Sequence, residues 1–128
     1  MTSTQLHDPL PTVLVVDDEV RSQDAMRRTL DEDFTVFIAS SADEARGLLE
    51  RQPVSVILCD QRMPGMTGVN FLKEVRERWP ETVRIVISGY TDGEDIIAGI
   101  NEAGIYQYIL KPWSPDHLLE TVRNAVEA

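Results

Sequence analysis

Four short polar stretches carry the residues that could do chemistry. They are Asp17-Asp18-Glu19, Asp60, Ser88-Gly89 and Lys111-Pro112. Each directly follows a run of apolar, mostly β-branched residues. Gathered at one place, they would supply three or four carboxylates, one hydroxyl and one ammonium. Clustered carboxylates raise one another's pKa unless a cation is present. An all-oxygen set with few protein ligands suits Mg²⁺, which keeps several waters and often bridges to phosphate. A lysine and a hydroxyl beside it suit the remaining phosphoryl oxygens. The chemistry this implies is acceptance of a phosphoryl group by a carboxylate, with Mg²⁺ and Lys111 balancing the charge that develops. Asp60 is the best nucleophile. It ends a central apolar run and leads into Gln61-Arg62-Met63-Pro64-Gly65-Met66-Thr67-Gly68, a loop whose glycines allow close backbone approach.

Such a site exists only if the elements bring those stretches together. Five apolar runs read as strands: 13–16, 34–38, 54–59, 83–87 and 106–110. Most are apolar on both faces, as in a parallel sheet covered on both sides. Between them lie segments with helical spacing. Met26 and Leu30 mark the first. Ala42, Ala45 and Leu49 mark the second, opened by the capping-box pattern Ser41 to Glu44. Leu72, Val75 and Trp79 mark the third, stopped by Pro80. Ile96, Ile97, Ile100 and Ala103 mark the fourth, ended by Gly104. Leu118, Leu119, Val122 and Val126 mark the fifth, with Ser114 at the cap and Pro115 in the first turn. The order βαβαβαβαβα gives an α/β, doubly wound parallel sheet with helices on both faces. Its ligands sit beyond the carboxyl ends of the strands, where all four polar stretches fall.

The composition is compatible with this. The 128 residues fit one domain, and a hydrophobic share of 42% is enough for a core. The net charge of −10 argues against non-specific nucleic-acid binding and against an anionic membrane surface. No apolar run is long enough to span a membrane, and Met1 to Pro11 lacks the pattern of a secretory signal. Those first eleven residues read as a flexible tail, and 12–128 as the domain. The single cysteine, Cys59, excludes an intramolecular disulfide and suits a reducing cytoplasm. His7 and His117 lie too far apart for a zinc site.

Taken together, Val15-Val16-Asp17-Asp18-Glu19, Asp60 with Met63-Pro64 and Gly68, Ser88-Gly89, and Lys111-Pro112-Trp113 resemble the receiver domain of two-component response regulators. The resemblance runs over about residues 12–127. It implies a flavodoxin-like (βα)5 fold with strand order 2-1-3-4-5. It also implies roles. Asp60 resembles the phospho-accepting aspartate. Asp18 resembles the direct metal ligand, Asp17 a ligand acting through water, and the Arg62 backbone carbonyl the third protein ligand. Ser88 resembles the switch hydroxyl and Lys111 the lysine that pairs with it, often before a cis peptide. Tyr108 resembles an aromatic that changes exposure on activation. Arg62, Gly89 and Tyr90 fall at positions that vary within the family and tune its members. Arg62 and Tyr90 are expected to flank the phosphoryl group, shielding the acyl phosphate from water or orienting the attacking water, and Gly89 to leave access to Asp60 open.

The implied function is a phosphorylation-controlled switch in a two-component phosphorelay. A sensor histidine kinase would supply the phosphoryl group, and the face of helix four, strand five and helix five would meet an output domain or a second copy. The domain would not be a conventional enzyme, and would bind neither nucleic acid nor membrane directly. Several stretches resemble receivers of NtrC-type transcriptional regulators, including those controlling hydrogenase genes, so the chain reads as part of a larger transcriptional regulator. A stand-alone receiver and the receiver of a cyclic-dinucleotide phosphodiesterase are the alternatives. An aspartyl-phosphate phosphatase ranks lower, because its usual second aspartate is replaced by Arg62. A flavin or nucleotide binder would need a less acidic first loop. A phosphorylation-independent interaction module would leave the acidic and lysine set unused.

Other residues have plainer readings. Cys59 is expected to be a small buried hydrophobe. Trp79 and Trp113 are expected to pack, and His117 to be solvated. Glu44, Glu50, Arg76 and Glu77 are charges on helix faces. Tyr106 and Tyr108 share one strand face and either pack in the core or, for Tyr108, switch. Gly99 costs its helix roughly 1 kcal/mol relative to alanine, which makes a merely imperfect helix or a moving part.

Overall fold

A computed structural model describes residues 10–128, apart from the side chain of Tyr90. Most of the expected N-terminal tail therefore lies outside the described residues. Five strands alternate with five helices: β1 (Thr12–Val16), α1 (Val20–Leu30), β2 (Thr35–Ala39), α2 (Ala42–Arg51), β3 (Val56–Asp60), α3 (Gly68–Arg78), β4 (Val83–Ser88), α4 (Gly93–Glu102), β5 (Gln107–Leu110) and α5 (Pro115–Val126). A 3-10 turn, Tyr90–Asp92, leads into α4. All strand pairs are parallel and the order is β2-β1-β3-β4-β5.

The two-sided apolar strands divide their side chains by the period of two. Leu14, Val16, Ile57, Cys59 and Val86 face α2, α3 and α4, where Ala45, Leu49, Phe71, Leu72, Val75 and Ile96 meet them. Val13, Val15, Val56, Leu58, Ile85, Ile87 and Ile109 face α1 and α5, against Met26, Leu30, Leu118, Val122 and Ala125. Cys59 is fully buried, as expected, and burial pushes its thiol pKa up.

Strand five departs from the core reading. Tyr106 is 42% exposed and Tyr108 is 44% exposed. β5 is an edge strand, and its other face, through Ile109, is covered by α5. The tyrosines are therefore not core residues.

Helix starts follow the expected chemistry in three cases. Ser41, Thr67 and Ser114 each accept a hydrogen bond from the backbone N–H three residues on. The reciprocal arm of the box at α2 is displaced by one residue, since Glu44 accepts from the Ser40 N–H at 2.7 Å. α1 and α4 start without a side-chain cap.

Gly99 is not an imperfection. It is buried, and a Cβ there would stand 2.6 Å from Val69 Cγ1. Its bare backbone is what lets α4 lie against α3.

Candidate functional site

Register brings the polar strand ends to one rim. Asp60 pairs with Ile87, and Ser88 with Leu110. The backbone continues the ladder beyond the strands: Asp17 N–H donates to Ala39 O, Gln61 N–H to Ile87 O, and Lys111 N–H to Ser88 O. The ladder therefore fixes where Asp17, Asp60, Ser88 and Lys111 begin their side chains.

The side chains converge. Carboxylate oxygens of Asp17, Asp18 and Asp60 all lie within 4.8 Å of one another. Asp17 is 1% exposed and Asp60 5%, while Asp18 is open to solvent. Lys111 Nζ is 2.9 Å from Asp60 Oδ1. The peptide bond Lys111-Pro112 is cis. One ammonium thus faces three carboxylates, and the cluster keeps an excess of negative charge. Burial raises the pKa of Asp17 above the usual carboxylate range, and the neighbouring Asp60 and Asp18 add to this. The Glu19 N–H donated to Asp17 Oδ1 at 2.9 Å, together with Lys111, works in the other direction.

Two buried atoms at this rim have no hydrogen-bond partner among the described residues: Asp17 Oδ2 and Ser88 Oγ. A buried, unpaired polar atom costs about 1–3 kcal/mol. Both belong to the residues singled out from the sequence. An oxygen-seeking cation beside Asp17 and an anion beside Ser88 would remove both costs, so the donor set fits a hard divalent cation with an accompanying phosphoryl group.

The loop after β3 is closed by a residue with no assigned role in the sequence. Gln61 is 2% exposed. Its Oε1 accepts from the Val69 N–H at 2.9 Å, and its backbone O accepts from the Gly68 N–H. A side chain at Gly68 would collide with the Asp60 carbonyl, so the start of α3 can sit against the strand end only with glycine there.

The tuning positions sit around the start of the segment after β4 and the loop after β3. The Arg62 N–H points to Asp60 Oδ1 at 3.4 Å, and its guanidinium is bonded to Asp92 Oδ1 and Thr91 Oγ1. A side chain at Gly89 would meet Asp92 Oδ2 at ordinary contact distance, and the Gly89 N–H is donated to that same oxygen at 3.0 Å. Tyr90 begins the 3-10 turn. Tyr108 lines a small hollow with Ser88, Gly89, Ile97, Ile100 and Leu110. Asp92 was not legible as a site residue, because an acid just before a helix reads as an ordinary cap.

A family model described as the response regulator receiver domain matches residues 13–123. The chain belongs to that family. A receiver domain is a signalling switch rather than a conventional enzyme, and the family binds Mg²⁺ at an acidic pocket. The chain is similar to the hydrogenase transcriptional regulatory protein HoxA of Cupriavidus necator, with 81% identity over 123 residues, 96% of this chain and 26% of that protein. The HoxA protein of Bradyrhizobium diazoefficiens is 65% identical over 116 residues, 91% of this chain and 24% of that protein. The receiver domain thus spans about a quarter of the length of these curated relatives. Among solved structures, the receiver domain of NtrX from Brucella abortus superposes with a TM-score of 0.84 and 30% identity, covering 91% of this chain and 98% of that one. Among the described residues no helix is long and apolar enough to cross a membrane.

Proposed function

We propose that this domain, spanning about residues 12–128, takes a phosphoryl group onto Asp60 and uses it to control a transcriptional regulator. The observation that carries the reading is the pair of buried, unpartnered oxygens, Asp17 Oδ2 and Ser88 Oγ, beside an Asp60 already held by Lys111. A protein tolerates such atoms where a ligand completes them.

Asp17, Asp18, Asp60 and the Arg62 carbonyl would hold Mg²⁺. When bound, the ion would neutralise the carboxylates and the phosphoryl oxygens. The rest is done by the chain. The Asp60 carboxylate attacks phosphorus, a P–O bond forms, the P–N bond of a phosphohistidine breaks, and imidazole leaves. Lys111 exchanges one Asp60 oxygen for a phosphoryl oxygen. Ser88 turns its free hydroxyl to another, so a hydrogen bond that is missing before transfer forms after it. Water later attacks phosphorus, the P–O bond to Asp60 breaks, inorganic phosphate leaves and the carboxylate is restored.

The donor would be a sensor histidine kinase. The output would be a further domain of the same regulator, or a second copy, meeting the exposed Ile97, Tyr106, Tyr108 and Leu110. The similarity to HoxA supports regulation of hydrogenase genes as the output, in the cytoplasm, with no DNA or membrane contact by this domain itself.

The test is to incubate the protein with Mg²⁺ and acetyl phosphate and weigh it intact. A gain of one phosphoryl group, about 80 Da, is expected, with none for Asp60→Asn. A gain retained by Asp60→Asn would sink the assignment.

A further inference from the structure

Asp92 is a buried acid on the same rim, outside the set that faces the metal. It is 7% exposed. Its oxygens are divided between two partners. Oδ2 accepts the Gly89 N–H at 3.0 Å, one residue after the switch hydroxyl. Oδ1 lies 3.2 Å from Arg62 Nε and from a terminal guanidinium nitrogen. That same nitrogen donates to Thr91 Oγ1 at 2.7 Å. Asp92 stands at the cap position of α4, but its side chain accepts no N–H of that helix.

Arg62 has room to move. Its side chain is 68% exposed. It lines an open cleft of about 580 Å³ with Asp18, Met63, Thr67 and Asp95. It is rooted two residues from Asp60, with its own N–H directed at the Asp60 carboxylate.

We propose that Asp92 is a positioning residue that competes with the phosphoryl group on Asp60 for the guanidinium of Arg62. The inference rests on the phosphoacceptor reading and specifies which residue controls charge compensation at that site. A phosphoryl group carries more charge than a carboxylate and accepts arginine in two-pronged fashion. It therefore draws Arg62 once it arrives. Asp92 is then a buried carboxylate without its cation, which is costly. The nearest donors open to it are the first N–H groups of α4, which no side chain caps.

The other end of α4 is fixed. Arg76 donates to the carbonyls of Asn101 and Glu102, Arg84 to those of Ala103 and Gly104, and Lys73 pairs with Glu102. Gly99 seats the middle of the helix on Val69. The state of Asp60 thus reaches α4 at its amino end, through Arg62 and Asp92.

The test titrates beryllofluoride, a phosphoryl mimic, with Mg²⁺ into ¹⁵N-labelled protein and follows the Gly89 amide. Wild type, Asp92→Asn, Arg62→Ala and the double variant are compared. Asp92→Asn is expected to bind about 5–10-fold more tightly, because Arg62 is released to the mimic. In the Arg62→Ala background the same change is expected to have no effect. Thr91→Ala removes an exposed contact of Arg62 and is expected to tighten binding about twofold, which keeps the test open if Asp92→Asn is poorly folded. Equal effects of Asp92→Asn with and without Arg62, or weaker binding with Arg62 present, would overturn the proposal. No binding by wild type would instead overturn the phosphoacceptor reading, and this inference with it.

Discussion

The two rims of the sheet are finished to different degrees. At the amino rim Arg84 is drawn inward from β4, yet its guanidinium donates to the carbonyls of Thr82, Ala103 and Gly104, with a longer contact to Pro80. Thr82 gives its hydroxyl to Val54 O at 2.8 Å. At the carboxyl rim Asp17 and Ser88 hold unpaired buried oxygens, three carboxylates share one lysine, and α1 and α4 lack side-chain caps. Nothing prevents this chain from satisfying polar atoms, since it does so at the other end of the same strands. The incomplete rim is the one left for ligands.

The contrast can be broken at the amino rim first. Arg84→Ala strips a charged donor from several carbonyls and is expected to cost about 2–3 kcal/mol in urea unfolding, equally with and without Mg²⁺. A loss that vanished with Mg²⁺ would mean the two rims are not independent. Gly99→Ala comes next. Helix propensity alone favours alanine by roughly 1 kcal/mol, but a Cβ 2.6 Å from Val69 forces α4 off α3. The net expectation is a loss of about 1–2 kcal/mol by the same measurement. A gain would show that the helix pair yields easily.

The carboxyl rim should respond with the opposite sign. Asp17→Asn removes a buried charge and two repulsions while keeping an oxygen for the Glu19 N–H. In calorimetry without Mg²⁺ its melting temperature is expected to rise by about 3 °C, whereas the rise that Mg²⁺ gives wild type is abolished. Asp17 also sets a pH dependence. Because its folded pKa is raised above the ordinary 3.8, its stability contribution is complete below that value and is lost as pH rises through the raised one. Mg²⁺ held by Asp17, as proposed, would displace that proton, so the Mg²⁺-dependent rise is expected to shrink as pH falls through the same window.

Much of this was legible in the sequence because it depends on period and order. Two-sided apolar runs required a covered parallel sheet, and the parallel sheet required Asp17, Asp60, Ser88 and Lys111 to share a rim. Side-chain direction at exposed or edge positions was not legible. Arg62 was expected to flank the phosphoryl group, but that Asp92 and Thr91, thirty and twenty-nine residues on, hold its guanidinium could not be read from the sequence. Tyr106 and Tyr108 alternate like core residues, and although the expected strand order put strand five at an edge, alternation alone did not say that this face of it is left uncovered. Arg76 read as a surface charge and instead binds the last carbonyls of α4.

On the proposed reading, transfer of a phosphoryl group to Asp60 completes the unfinished rim. Borohydride reduces an aspartyl phosphate to homoserine, so treating acetyl-phosphate-labelled protein with borohydride and sequencing the peptides by mass locates the acceptor. Homoserine at position 60, formed only when Mg²⁺ is present, is the expected result. Homoserine at position 17 or 18, or equal yield in the presence of a chelator, would contradict it.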